Sequence, residues 1–379
     1  MPESVEIGMG RQARRTYDLA DIAIVPSRRT RSSAEVSTAW QIDAYRFGIP
    51  FVMDSSDAVA SPAMAIEVGR AGGLGVINAE GLWARHADPE AVIDEIVRVA
   101  SDSDDPDAAT AALQRAYAAP IDDDLLAAAI AAVKDGGSTV AARVSPQNAA
   151  ELAQRVIRAG IDLLVIQGTI VSAEHVLRGG EPLNLKSFIA NLDVPVIVGG
   201  ATNFQTATHL MRTGAAGIIV GTGAGVASTT DEVLGIAVPM ATAIADAAAA
   251  RRDYLDETGG RYVHVIAAGD LATSADIAKA IACGADAVIL GEPLAACNLA
   301  PAHGWYWPHQ ASHPALPRGI AVPCGLADTP LGELLHGPAR GAEGRTNLFG
   351  ALRRAMAKAG YSDVKEFQKV GLITVTGTA

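Results

Sequence analysis

The segment HLMRTGAAGIIVG (209–221) passes from a helix-like stretch, through a glycine, into an apolar strand-like run. The same pattern recurs in EVGRAGGLGVIN (67–78), RVIRAGIDLLVIQG (155–168) and KAIACGADAVILG (279–291). Glycine after a last helical turn supplies a left-handed cap, and the run beyond it suits a strand buried on both faces. Four more apolar runs, IPFVM (49–53), STVAARV (138–144), VPVIVGG (194–200) and YVHVIAAG (262–269), raise the number of candidate strands to eight. Eight strands alternating with helical segments predict an α/β fold, a single (β/α)8 TIM barrel spanning residues 1–379. An open doubly wound sheet is the alternative. Barrel ligands sit on the loops after the strand C-termini, and phosphate favours those after strands seven and eight.

Two stretches exceed what a plain barrel needs. Residues 85–135, between the second and third strands, are alanine-rich and acidic and read as an insertion of two or three surface helices. Their Asp104, Asp105, Asp122, Asp123 and Asp124 suit helix caps and a solvated face, since no glycine turn or closing glutamate makes a calcium loop of them. Residues 300–345, rich in Pro, Gly and His, form a long loop after strand eight, and loops of that length are usually lids or binding elements. His303, His309 and His313 are a weak metal set, because Pro308 and Pro314 interrupt any helix that would align them. Residues 346–369 read as a helix with Thr346 or Asn347 as its cap, and the tail VGLITVTGTA pairs or docks at the end. Arg28, Arg29 and Arg31 read as a solvated N-terminal arm.

Composition narrows the function. The 379 residues are 49% hydrophobic and carry a net charge of −12, which argues against nucleic acid or an anionic membrane as partner. Aromatic residues, at 4%, are too few for base-stacking platforms. Cys283, Cys297 and Cys324 form no CxxC pair, no apolar run reaches membrane length, and the N-terminus lacks a signal-peptide core. The expected location is the cytoplasm.

The segment GIIVGTGAGVASTTDEVLG (217–235) carries the chemistry. Its strand meets a loop with Gly221, Gly223 and Gly225, then Ser228, Thr229 and Thr230 before a helix-like start. Glycines there let the backbone approach an anion, though many α/β turns carry glycines without a ligand. This segment resembles the strand and loop G-x-G-P-G-S-x-C-T-T of the IMP dehydrogenase and GMP reductase family. YDLADIAIVP (17–26), VST (36–38), AIEVGRAGGLGVIN (65–78), DIAKAIACGADAVILGE (276–292) and GALRRAMAKAGY (350–361) are similar to further family segments, in the family's order. The nearest likeness is to the short bacterial paralogues without CBS modules, since 85–135 is too short to hold that pair.

The resemblance implies a cytoplasmic homotetramer that binds a purine nucleoside monophosphate (IMP, XMP or GMP) and NAD or NADP. It places Ser228 at the position of the nucleophilic cysteine, with Thr230 positioning a water or leaving amine. The nucleotide would lie on Gly223, Gly225, Ala268, Gly269, Asp270, Gly291 and Glu292, the cofactor near Gln167, Gly199 and Gly200. A monovalent cation at the 223–228 loop is the one metal it allows, and Glu333 or Arg345 would assist proton transfer. Several side chains depart from the family's pattern. Serine is far harder to ionise than cysteine, Ala268 and Asp270 displace the ribose-binding carboxylate, Glu292 replaces a phosphate-binding serine, and Gln167 replaces an aspartate. Of the family's S-x-x-M-D near strand one, Met53, Ser56 and Asp57 are the most that remains. A catalytically inactive regulatory or ligand-binding paralogue is therefore the alternative reading. Cys324, in the loop region, is a distant candidate for a substitute thiol.

Overall fold

The computed structural model describes residues 4–26, 29–103, 105–173 and 183–375, so Arg28 and Asp104 lie outside the described residues. Eight parallel strands form one sheet: β1 (Phe51–Met53), β2 (Val76–Asn78), β3 (Ala141–Val144), β4 (Leu163–Gln167), β5 (Val196–Ala201), β6 (Gly217–Ala224), β7 (His264–Gly269) and β8 (Ala287–Leu290). From β2 to β8 each strand pairs with the next, and β8 pairs with β1. A parallel bridge between Val52 and Leu74 closes the ring, with Met53 N–H donating to the Leu74 carbonyl at 2.9 Å. Closure excludes the open doubly wound sheet. The glycines of the recurring pattern do what a left-handed cap requires: Gly72, Gly160, Gly214 and Gly284 have φ of 91°, 99°, 97° and 119°.

The strands bury both faces. Val52, Val76, Leu163, Val165, Ile197, Ile219, Ile266 and Ile289 fill the barrel interior, while Phe51, Ile77, Leu164, Val198, Val220 and Val288 meet the surrounding helices. The bottom of the barrel is plugged by the hairpin Trp40–Ile42 and Tyr45–Phe47, with Trp40 stacked on Phe47 at 5.2 Å. Beside it Asp286, fully buried, accepts from Arg251 at 2.7 Å, Lys365 at 2.6 Å, Tyr262 at 2.8 Å and the Val265 N–H at 2.9 Å. The tail pairs as expected: Gly371–Thr374 runs antiparallel to Ile22–Val25. Among the described residues no helix is long and apolar enough to cross a membrane.

After β1 comes helix α1 (Pro62–Arg70), and between β2 and β3 run α2 (Pro89–Asp102), α3 (Pro106–Tyr117) and α4 (Asp123–Asp135). Helix α4 packs against α1 and against the helix Ala149–Ala159, the place of a barrel crossover helix, which leaves α2 and α3 as the added pair. Asp105 caps α3 through the Asp107 N–H, and Asp122 caps α4 through the N–H groups of Asp124 and Leu125.

The lid after β8 carries a two-stranded ribbon, Trp305–Tyr306 with Val322–Pro323, and a short helix, Leu331–His336. The next helix, Leu348–Ala359, starts at Asn347, but the expected side-chain cap is absent. Asn347 has φ of 55° and lies over Gly350, while the Thr346 hydroxyl is taken by the backbone of Arg340.

Candidate functional site

Two cavities open at the C-terminal end of the barrel. The smaller, about 180 Å³, is walled by Gly223, Gly225, Ala268, Gly269, Asp270, Gly291, Glu292 and Gln167, joined by Asp54 after β1 and Tyr306 of the lid. The loops after β4, β6, β7 and β8 thus converge, and eight of the expected positions share one wall. Gly223 and Gly225 have φ of 72° and 142°, conformations that favour glycine.

Its electrostatics are anionic. Among the described residues three carboxylates (Asp54, Asp270 and Glu292) and no Arg or Lys line it. Glu292 is engaged by Arg345 at 3.0 Å, from outside the cavity. Burial pushes the Asp270 carboxyl up, and Asp18, Asp276 and Asp231 nearby push it further. Burial acts on Asp54 the same way, but the hydrogen bond and charge of His309, with Tyr306, outweigh it and hold that carboxyl below its ordinary range. The contacts are His309 Nε2 to Asp54 Oδ1 at 3.3 Å and the Tyr306 hydroxyl donating to Asp54 Oδ2 at 2.8 Å.

Several expected residues lie elsewhere. Ser228 and Thr230 line neither cavity. Ser228 Oγ donates to Thr230 Oγ1 at 3.2 Å, and the lid runs across it: Ser228 bridges Gly319, Ile320 N–H donates to the Ala227 carbonyl, and Thr229 N–H to that of Arg318. No histidine or carboxylate bonds its hydroxyl among the described residues. Gly199 and Gly200 also line neither cavity; a Cβ there would stand 2.3 Å from the Ile219 carbonyl oxygen and 2.4 Å from that of Thr169, so they serve strand packing. Glu333 pairs with Arg340. The three lid histidines take separate partners: His303 reaches Asp94, His309 reaches Asp54, and His313 accepts from the backbone of Ala315 and Leu316. Burial pushes the Cys283 and Cys324 thiols up to about 12 and also raises that of Cys297. Burial of this kind disfavours the thiolate, which weighs against Cys324 as a substitute nucleophile.

The larger cavity, about 480 Å³, lies across the mouth over the ends of β2, β3 and β4. Its walls include Asn78, Glu80, Arg85, Arg143, Ser145, Asn148, Thr169 and, from the lid, His309, Gln310, His313 and Arg318. Arg143 Nη1 meets Glu80 at 3.3 Å and Nη2 donates to the Gln167 carbonyl at 2.8 Å. Glu80 also accepts from the N–H and hydroxyl of Ser145 and from Asn148. Tyr117, from the end of α3, reaches in to donate to the fully buried Asp57 at 2.6 Å, and Trp307 of the lid donates to its hydroxyl at 3.3 Å. His309 and Gln310 line the larger cavity, and His309 reaches Asp54 on the wall of the smaller one. Gln310 Nε2 donates to Thr169 Oγ1 at 3.2 Å and to the Thr222 carbonyl at 3.4 Å, while the Ser55 hydroxyl lies 3.0 Å from His309.

Asp54, Tyr306, Gln310, Tyr117, Arg85, Arg143 and Arg318 were not picked out by sequence reading, and His309 was named only as a weak metal candidate. One signal was available: Arg143 sits inside the apolar run STVAARV, and a charge in a strand buried on both faces requires a partner.

Known proteins agree with this architecture. A model of the IMP dehydrogenase / GMP reductase domain matches residues 15–312. An uncharacterized oxidoreductase of Mycolicibacterium smegmatis is 63% identical over 371 residues, covering 97% of this chain and 99% of that one. An inosine-5'-monophosphate dehydrogenase of Haemophilus influenzae is 39% identical over 146 residues, 38% of this chain and 28% of that one. The crystal structure of an IMP dehydrogenase/GMP reductase-like protein from Corynebacterium glutamicum superposes with a TM-score of 0.94 at 56% identity, covering 98% of both chains. The barrel, its glycine loops and these relatives together place the chain in the IMP dehydrogenase/GMP reductase family.

Proposed function

We propose that the chain is an NAD(P)-linked oxidoreductase of the family type, with a purine nucleotide (IMP, XMP or GMP) as its ligand class. One observation carries this reading: two cavities open at the barrel mouth, and His309 from the wall of the larger contacts Asp54 in the wall of the smaller. Hydride transfer needs two ligands side by side in a site that a lid can close to water. A bound nicotinamide would supply the hydride chemistry. The larger cavity suits such a cofactor: its volume lies within the about 300–1,000 Å³ of small-molecule sites, and arginine donors line it.

The chain's own residues then have distinct tasks. The loops carrying Gly223, Gly225, Gly269 and Gly291 let the smaller cavity's ligand approach the backbone. Asp54, ionised beside His309, accepts hydroxyl donors there, and His309 is placed to take or return a proton through it. The smaller cavity lies below the small-molecule range, so its lid wall, Tyr306, must move to admit a nucleotide. Ser228, roofed by the lid and without a base, forms no covalent adduct in this scheme. The assembly is taken as a cytoplasmic homotetramer, as the family resemblance implies.

A second reading, a ligand-binding or regulatory paralogue without turnover, draws on the same Ser228 geometry and on the carboxylates facing the smaller cavity. The deciding assay follows nicotinamide absorbance with IMP, XMP and GMP against oxidised and reduced NAD and NADP. Turnover in at least one pairing is expected. Binding without turnover in every pairing would favour the second reading.

A further inference from the structure

We propose that the larger cavity is a phosphate site, and that Arg85, Arg143 and Arg318 select a phosphate-bearing second ligand. This rests on reading the mouth as a two-ligand site. None of the three belongs to the glycine loops, and they come from separate parts of the chain: the turn after β2, strand β3 and the lid.

Counter-charge is what the cavity lacks. In a chain of net charge −12, three guanidinium groups line one cavity whose walls, among the described residues, hold a single carboxylate, Glu80. Both oxygens of Glu80 are already taken, by Arg143, Ser145 and Asn148. Behind the wall, Asp54 is engaged by His309 and Tyr306, and Asp57 accepts from Tyr117 and Asn78 at Oδ2 while its Oδ1 is enclosed without a hydrogen-bond partner.

The arginines keep donors in reserve. Arg318 Nη1 donates to Thr169 Oγ1 at 3.1 Å, yet its Nε is enclosed without a partner, and no carboxylate pairs with it among the described residues. Arg143 Nε is likewise enclosed and unpartnered. Arg85 is held only by the backbone carbonyls of Glu80 and Ala119. Enclosed donors without acceptors are costly, and a ligand oxygen would satisfy them. Burial lowers the pKa of all three guanidinium groups, as expected of cations withdrawn from water without enough anion beside them. Guanidinium forks match phosphate oxygens, and three of them carry more charge than one carboxylate would use. A phosphate between Arg318 and Arg143 would also tie the lid to the barrel.

The test titrates the intact protein calorimetrically with pyrophosphate, inorganic phosphate and malonate at low and moderate salt. Wild type is compared with Arg318→Gln, Arg85→Gln and, as a distant surface control, Arg354→Gln, after thermal melts confirm folding. Pyrophosphate is expected to bind saturably, to weaken at least tenfold in Arg318→Gln and Arg85→Gln but not in Arg354→Gln, and to weaken with salt. Absence of saturable pyrophosphate binding, equal weakening in Arg354→Gln, or malonate binding as tightly as pyrophosphate would each overturn the assignment. The two proposals fail separately. Arginine-dependent pyrophosphate binding without turnover on any nucleotide retains the site and removes the oxidoreductase reading, whereas turnover without pyrophosphate binding does the reverse.

Discussion

Replacing Arg143 with methionine is expected to lower the unfolding free energy by about 3 kcal/mol, the scale of breaking a buried ion pair from one side. Methionine keeps the length and apolar volume of the stem, so the loss isolates the guanidinium. Arg143 is buried on β3, and its loss leaves the Glu80 carboxylate to Ser145 and Asn148, with Arg85 beside it bonded to the Glu80 backbone carbonyl rather than to the carboxylate. It also frees the Gln167 carbonyl at the end of β4, loosening the edge shared by the two cavities. Adding Glu80→Gln should restore part of the stability, because an amide needs no counter-ion. Urea midpoints of both variants measure this. Equal stability of Arg143→Met and wild type would mean that Glu80 is fully satisfied by its neutral donors.

The second large effect is acid sensitivity at the bottom of the barrel. Burial drives the His264 imidazole from its ordinary 6.5 down to about 4, and the attraction of Asp286 only partly offsets that. A buried histidine that resists protonation contributes stability above its unfolded pKa and loses it as pH falls from 6.5 towards 4, about 3 kcal/mol across the window. Asp286 is subject to burial too, but Arg251 and Lys365 hold it well below the usual carboxylate range, so its own contribution fades only below about pH 4. Asp57 and Asp270, raised by burial, act in the opposite direction. The clean measurement is therefore a difference between wild type and His264→Gln. Between pH 7 and pH 4.5 wild type should lose about 2 kcal/mol more than the variant. Parallel losses would show that His264 is protonated freely in the fold.

Much of the barrel was legible because it rests on a local rule repeated along the chain. Four of the helices run into a glycine, Gly72, Gly160, Gly214 or Gly284, whose positive φ is suggested by the residue type, and the barrel strands are buried on both faces and so read as apolar runs. The convergence of Gln167, Gly223, Gly225, Ala268, Gly269, Asp270, Gly291 and Glu292 on one cavity follows from the same rule, since all of them sit at or just beyond strand C-termini. The lid was a different matter. No periodicity ties Tyr306, His309 or Gln310 to Asp54 or Thr169, far earlier in the chain, so these contacts were visible only in three dimensions. Tyr117 was hidden for a similar reason: it closes an apparently solvated helix, yet its hydroxyl meets the most buried carboxylate at the mouth. Ser228 was correctly placed on the loop after β6, but no local signal showed that the lid would cover it.

The proposed mouth takes two ligands at once. Calorimetric titration of the purified protein with IMP, XMP and GMP, each followed by NAD or NADP, measures that directly. The account predicts saturable binding of one nucleotide and, on that complex, a second saturable binding of cofactor. Failure of both ligand classes to bind, with the protein folded, would contradict it.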